Sequence, residues 1–125
     1  MERRTFLIAG LSATTAFAAA PVFAGGHGRL GTFSGLSNHV TSGTAELNSD
    51  GVQLLDDFFF DGAPDPKVAL GKDGKYDPAT LMGLLKSNSG SSQYALPAGI
   101  NAADYNEVWI WCEQFNVPLG VASVN

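Results

Sequence analysis

Cys112 is the only cysteine in this 125-residue chain, and His27 and His39 are its only imidazoles. A blue-copper site takes two His, one Cys and a weak axial ligand such as Met, usually with His and Met soon after the Cys. No His or Met follows Cys112, and the Cys-X-X-Cys-His haem attachment motif and zinc-type cysteine pairs are absent. The thiol therefore has two readings. On strand alternation it shares a face with Ile110 and Val108 while Trp109 and Trp111 point the other way, so it can be a small hydrophobe on a central strand buried on both sides. Otherwise it is a thiol kept free for redox exchange, for a partner cysteine, or for ligation of a prosthetic group. Its chain neighbour is Glu113, and no Lys, Arg or His lies close in sequence to favour the thiolate. Only the fold can supply a cation.

The remaining candidates are weaker in pattern. His39 begins a strand beside a turn, where an imidazole either hydrogen-bonds structurally or serves as a ligand, and His27 lies in a Gly-rich stretch expected in solvent. Asp56, Asp57, Asp61 and Asp65, with Asp73 and Asp77 further on, offer oxygen ligands for calcium, but the twelve-residue calcium-loop spacing is missing and Asp, Gly and Pro also make turns. No Gly-X-Ser-X-Gly motif, phosphate-binding glycine loop or paired-histidine motif appears, so hydrolase and nucleotide chemistry have no anchor. Trp109 and Trp111 suit either an aromatic platform for a sugar or a partner, or a core.

These residues need elements to position them, and composition limits the choice. The chain is 45% hydrophobic and 15% charged, enough apolar surface for a single core. The net charge of −5 argues against nucleic acid as a partner, since phosphate binders gather basic side chains. Met1 to Ala24 has the three parts of a secretory signal: Arg3 and Arg4, an Ala-rich apolar run from Phe6 to Ala20, and Val22-Phe23-Ala24 at the cleavage positions. Arg3-Arg4-Thr5-Phe6-Leu7 resembles a bacterial twin-arginine export signal, although Ile8 follows where a basic residue is common. The run is too short and too interrupted for a permanent membrane anchor. Cleavage between Ala24 and Gly25 leaves 101 residues with 5 basic and 11 acidic side chains, a net charge of −6, in the periplasm or outside the cell.

Turn signals divide the mature chain at short intervals, the pattern of a single-domain, all-β antiparallel sandwich of seven or eight strands. The expected strands are Leu30 to Phe33, Val40 to Leu47, Val52 to Phe60, Val68 to Leu70, Tyr94 to Leu96, Val108 to Cys112 and a segment within Phe115 to Val124. Leu81 to Lys86 stays open. Asp77-Pro78 is a fair helix cap and Leu81, Leu84 and Leu85 have helical spacing, yet Gly83 interrupts them, so one short helix or an irregular strand is expected there.

Four blocks of sequence then resemble the electron-transfer DM-thirteen domain of Skeletor-type animal proteins and bacterial exported proteins. They are Phe33 with His39-Val40-Thr41-Ser42-Gly43-Thr44; Leu54 to Phe60 with Asp61-Gly62-Ala63-Pro64-Asp65-Pro66; Leu84-Leu85-Lys86 with Gly90, Gln93, Tyr94 and Leu96-Pro97; and Tyr105, Val108-Trp109-Ile110-Trp111-Cys112, Phe115, Val117 and Gly120-Val121-Ala122. They span nearly the whole mature chain. Pro118-Leu119 departs from the pattern, where more strongly β-forming residues are expected. The resemblance implies that Cys112 serves redox chemistry as a naked thiol or as ligand to a prosthetic group such as haem, with His39 a second candidate cofactor ligand. It also implies a separate exported redox partner. The alternative is a non-catalytic binding or structural module of the cell envelope, and a calcium-stabilised surface protein is a third reading.

Overall fold

The computed structural model describes residues 28–125, so the signal segment and His27 lie outside the described residues. Ten strands are found there: β1 Arg29–Gly35, β2 Thr41–Ser42, β3 Thr44–Asn48, β4 Gly51–Leu54, β5 Phe59–Phe60, β6 Pro66–Lys72, β7 Lys75–Asp77, β8 Ser92–Ala95, β9 Glu107–Cys112 and β10 Val117–Ser123. The fold is all-β, as the alternation implied. The count exceeds the expected seven or eight because two expected strands break and one was not foreseen. Val40 to Leu47 divides at Gly43, Val52 to Phe60 divides at the Asp56-Asp57 turn, and Lys75–Asp77 is a short, polar edge strand.

Eight strands form one antiparallel sheet in the order β7-β6-β9-β10-β1-β3-β4-β8, and β2 pairs with β5 beside it. The sheet curls around a shared strand. The first half of β1, Arg29 to Thr32, pairs with β3, and its second half, Phe33 to Gly35, pairs with β10, so one strand serves both halves as a corner strand does in a sandwich. Both halves feed one core: Leu47, Val52, Leu54 and Tyr94 from one side meet Val68, Leu70, Val108, Ile110 and Leu119 from the other. Burying each aliphatic side chain contributes roughly 1.5–3 kcal/mol, which is what holds the two halves together.

The undecided stretch near residue 81 resolves into two parts. Asp77 does cap a turn, its side chain accepting from Ala79 N at 2.9 Å, but the turn is a three-residue 3-10 helix, Pro78–Thr80. Beyond it the chain runs irregularly along the edge of β6: Met82 N donates to Val68 O, Val68 N to Gly83 O and Leu85 N to Pro66 O. The turn is over by Leu81, whose ψ is 127°, and Gly83 has φ +99°, a left-handed conformation that keeps the stretch from forming a regular ladder. A second 3-10 turn, Ala102–Asp104, precedes β9. Among the described residues no helix is long and apolar enough to cross a membrane.

Pro118-Leu119, the departure noted in the sequence, falls on a bulge. Ile110 pairs with Gly120 and Trp111 with Pro118, so Leu119 is the extra residue. A bulge relaxes the need for β-forming residues and for a ladder donor at Pro118. It also turns Leu119 into the core, while its carbonyl accepts from Leu36 N at 3.0 Å and Thr41 Oγ1 at 2.9 Å.

Candidate functional site

β9 is flanked by β6 and β10 along its whole length, which places every residue of it in the middle of the sheet. Its inner face carries Val108, Ile110 and Cys112, all buried in the core, as alternation predicted. Cys112 is 1% exposed and is the last residue of the strand, opposite Pro66 on one side and Val117 on the other. Its Sγ accepts a hydrogen bond from Phe115 N at 3.4 Å. The four-residue turn Glu113 to Asn116 that supplies this donor is exposed throughout, with Phe115 60% exposed. The sulfur thus lies in the core but only one turn from solvent.

The fold does supply a cation near this end, on the wrong face for the sulfur. Lys67 lies directly opposite Trp111 in the β6–β9 ladder, so its side chain leaves from the outer face while Cys112 points inward. There Lys67 Nζ donates to Glu113 Oε1 and lies 3.4 Å from Asp65 Oδ1. The Glu113 hydrogen bond raises the Lys67 pKa, opposed by partial burial. This ammonium is committed to carboxylates.

The outer face is aromatic. Trp109 lies over Gly71, where an added Cβ would sit 2.3 Å from its Nε1 and 2.4 Å from Lys75 O, so only glycine admits the ring. Trp109 Nε1 donates to Glu107 Oε1 at 3.1 Å, and Glu107 Oε2 accepts from Gly74 N at 2.7 Å. Trp111 stacks on Tyr76 with ring centroids 3.9 Å apart and planes at 15°, and meets Trp109 edge-on at 5.8 Å and 75°. Burial under the indole, then the nearby Glu113 charge, raises the Tyr76 pKa. The tryptophans therefore belong to neither simple expectation: Trp109 is buried on the outer face, whereas Trp111 and Tyr76 are half-exposed. Sequence reading missed Tyr76, which joins the site only through strand register, and Glu107, which parity places on the face of Trp109 but which the expected strand, beginning at Val108, left out.

His39 belongs to a different neighbourhood. Its Nδ1 is 2.9 Å from Asp61 Oδ1, its ring lies 5.7 Å from that of Phe60, and Asp61 Oδ2 accepts from Val40 N at 3.0 Å. The Val40 N–H, followed by the His39 side chain, holds the Asp61 carboxyl below its ordinary range. None of these contacts reaches Cys112. Two other loop carboxylates are also spent locally: Asp57 accepts from Thr44 N and Thr44 Oγ1, both at 2.8 Å, and Asp65 faces Lys67. Among the described residues no three His, Cys, Asp or Glu side chains converge as a metal site.

A haem or similar group needs a cavity that reaches its ligand atom. One surface cleft of about 440 Å³ is lined by Arg29, Asn48, Asn101 and Ala102 among others, and a second of about 430 Å³ by Thr44, Gln53 and Asp56. Neither borders Cys112 or His39. With the sulfur 1% exposed within the same core cluster as Ile110 and Leu119, the residues present do not fit a porphyrin at Cys112.

A small all-β domain with a single core-facing cysteine at a hairpin end and an aromatic row on the same strand is the class of protein defined here. The family described as Electron transfer DM13 matches residues 32–124, and the chain belongs to it. Among curated proteins and among solved structures nothing matches this chain. Membership makes the domain an electron-transfer module in general terms.

Proposed function

We propose that the mature chain is an exported accessory electron-transfer module, periplasmic or extracellular, whose redox centre is the naked thiol of Cys112. The observation that supports this reading is the position of the sulfur: it ends a strand and accepts an N–H from an exposed turn, so that opening of Glu113 to Asn116 would bring solvent to it. Local opening of such a segment costs far less than global unfolding. The partner is a separate exported redox protein, since this domain brings no second redox centre of its own within the described residues. A prosthetic group on Cys112 is the less favoured form of the same function, because core packing leaves it no space.

The burial of Cys112 favours a second reading, a non-catalytic binding or structural module in which the thiol is a core hydrophobe. One experiment on natively exported protein separates them. A naked redox centre gives a colourless protein whose intact mass shows cleavage after Ala24 and whose thiol is alkylated without denaturant. Visible absorption that Cys112→Ser loses while staying folded would establish the prosthetic form. A colourless protein alkylated only after unfolding would overturn electron transfer through this thiol.

A further inference from the structure

The outer face of β9 carries a row that neither the thiol nor the core explains. A Tyr and two Trp side chains touch in sequence, Tyr76 stacked on Trp111 and Trp111 edge-on to Trp109. Phenol and indole are among the most readily oxidised side chains, and contact between rings lets a one-electron hole pass from one to the next. Two of the three are half-exposed, and the third is buried. The row therefore has a solvent end and an interior end.

The interior end has the partner that indole oxidation requires. An indole radical cation is far more acidic than indole itself, about as acidic as a carboxylic acid, so its Nε1 proton passes readily to a carboxylate, and Glu107 Oε1 stands 3.1 Å from Trp109 Nε1. Glu107 is itself only 8% exposed, and each of its oxygens accepts from an N–H, the pattern of a carboxylate rather than an acid. Trp111 is also joined to Cys112 by a single peptide unit, ring on one face and sulfur on the other.

We propose that Tyr76, Trp111 and Trp109 form a one-electron relay between the protein surface and Cys112, with Glu107 holding the indole proton in transit. This rests on Cys112 being the redox centre. An oxidant of the one-electron class, touching the Tyr76–Trp111 stack, takes one electron. The hole reaches Trp109 as its Nε1 proton moves to Glu107, leaving a neutral indolyl radical and a glutamic acid. Cys112 then gives one electron to that radical by way of Trp111, the ring one peptide unit from it, and its S–H proton to solvent as the Glu113 to Asn116 turn opens, while Glu107 returns its proton to Nε1. The net change is one electron from the thiol to the oxidant, one proton to solvent and a thiyl radical that the reduced partner restores.

The test is flash oxidation of the mature protein by a photogenerated ruthenium(III) polypyridyl complex, followed by transient absorption and spin trapping. Wild type is expected to show a neutral indolyl radical that decays as a trapped thiyl radical appears. Glu107→Gln keeps a hydrogen-bond acceptor but takes no proton, so the indole radical cation persists and the neutral radical is lost. In Trp111→Phe the thiyl yield falls while alkylation of Cys112 stays as in wild type. In Cys112→Ser the indolyl radical outlives that of wild type because its electron donor is gone. An unchanged indolyl lifetime in Cys112→Ser, or a Glu107→Gln variant that forms the neutral radical as wild type does, overturns the relay. Neither result bears on the alkylation test, so failure of the relay and failure of the thiol as redox centre are told apart.

Discussion

At the Glu107 end of β9 hydrogen bonds converge from several elements, whereas at the Cys112 end few hold the chain. Arg29 donates to Tyr105 O and Ala102 O, both at 2.7 Å, Tyr105 OH donates to Asp77 Oδ2 at 2.6 Å, and Asn106 bonds to Gly71, Asp73 and Val124. At the other end stand the 3.4 Å bond from Phe115 N to sulfur, a 3.4 Å bond from Glu113 N to Asp65 O, an exposed 3.2 Å bond from Trp111 Nε1 to Asn116 Oδ1, and the Lys67–Glu113 pair. The glutamate of that pair is 48% exposed, and such pairs contribute about 0–1 kcal/mol. One strand thus has a pinned end and a loose end. A thiol that is buried on average can still be reached if it sits at the end that opens at the lower free energy.

The contrast is broken most severely at Arg29. Arg29→Ala removes two charge-assisted bonds and leaves Tyr105 O short of a donor, while Ala102 O keeps the one from Tyr105 N, an expected loss on the order of 3 kcal/mol in urea unfolding. The rate of Cys112 alkylation should change little beyond what global destabilisation adds. A large independent rise would mean that the two ends open as one unit.

Tyr105→Phe probes the same end more gently, with an expected loss of about 1 kcal/mol near neutral pH. Its value lies in pH dependence. The Tyr105 hydroxyl holds the Asp77 carboxyl below its ordinary value, so that contribution is present above the usual carboxylate range and is lost as pH falls through the lowered pKa. The same bond pushes Tyr105 up to about 12 from an ordinary 10.0, so its contribution is full below the unfolded value and is lost as pH rises toward 12. Stability of wild type minus Tyr105→Phe should therefore form a plateau that falls at both extremes, read by urea melts across pH. A flat difference would show that the bond is not formed in solution.

The smallest free energy is that of opening the turn itself. Amide exchange at Phe115 should proceed through local opening, with less protection than Asn106, whose N–H binds Gly71 O at 3.1 Å between two ladders. Equal protection at the two amides would remove the loose end and, with it, the route to the sulfur.

Much of this was legible in the chain alone. Alternation along Val108 to Cys112 assigned Cys112 to the face of Val108 and Ile110 and put both tryptophans on the other, because side-chain direction in a strand follows from position parity. The blocks around Trp111-Cys112 and His39 to Thr44 pointed to the family that matches residues 32–124. Local signals failed where two of them conflicted: the Asp77-Pro78 cap was real, but the chain is already extended at Leu81, ψ 127°, so the helix it began is a single turn.

What the sequence could not decide were partnerships between distant segments. Lys67 comes within reach of Glu113, Asp61 takes His39, Arg29 binds carbonyls more than 70 residues away, and Tyr76 stacks on Trp111. Each depends on strand order and register, and a one-residue slip would send the same side chains to the opposite face. Residue types and parity therefore determined which face each group of β9 occupies. Only the order and register of the curled sheet decided that its cation lies across the strand from the thiol, and that Tyr76 stacks on Trp111.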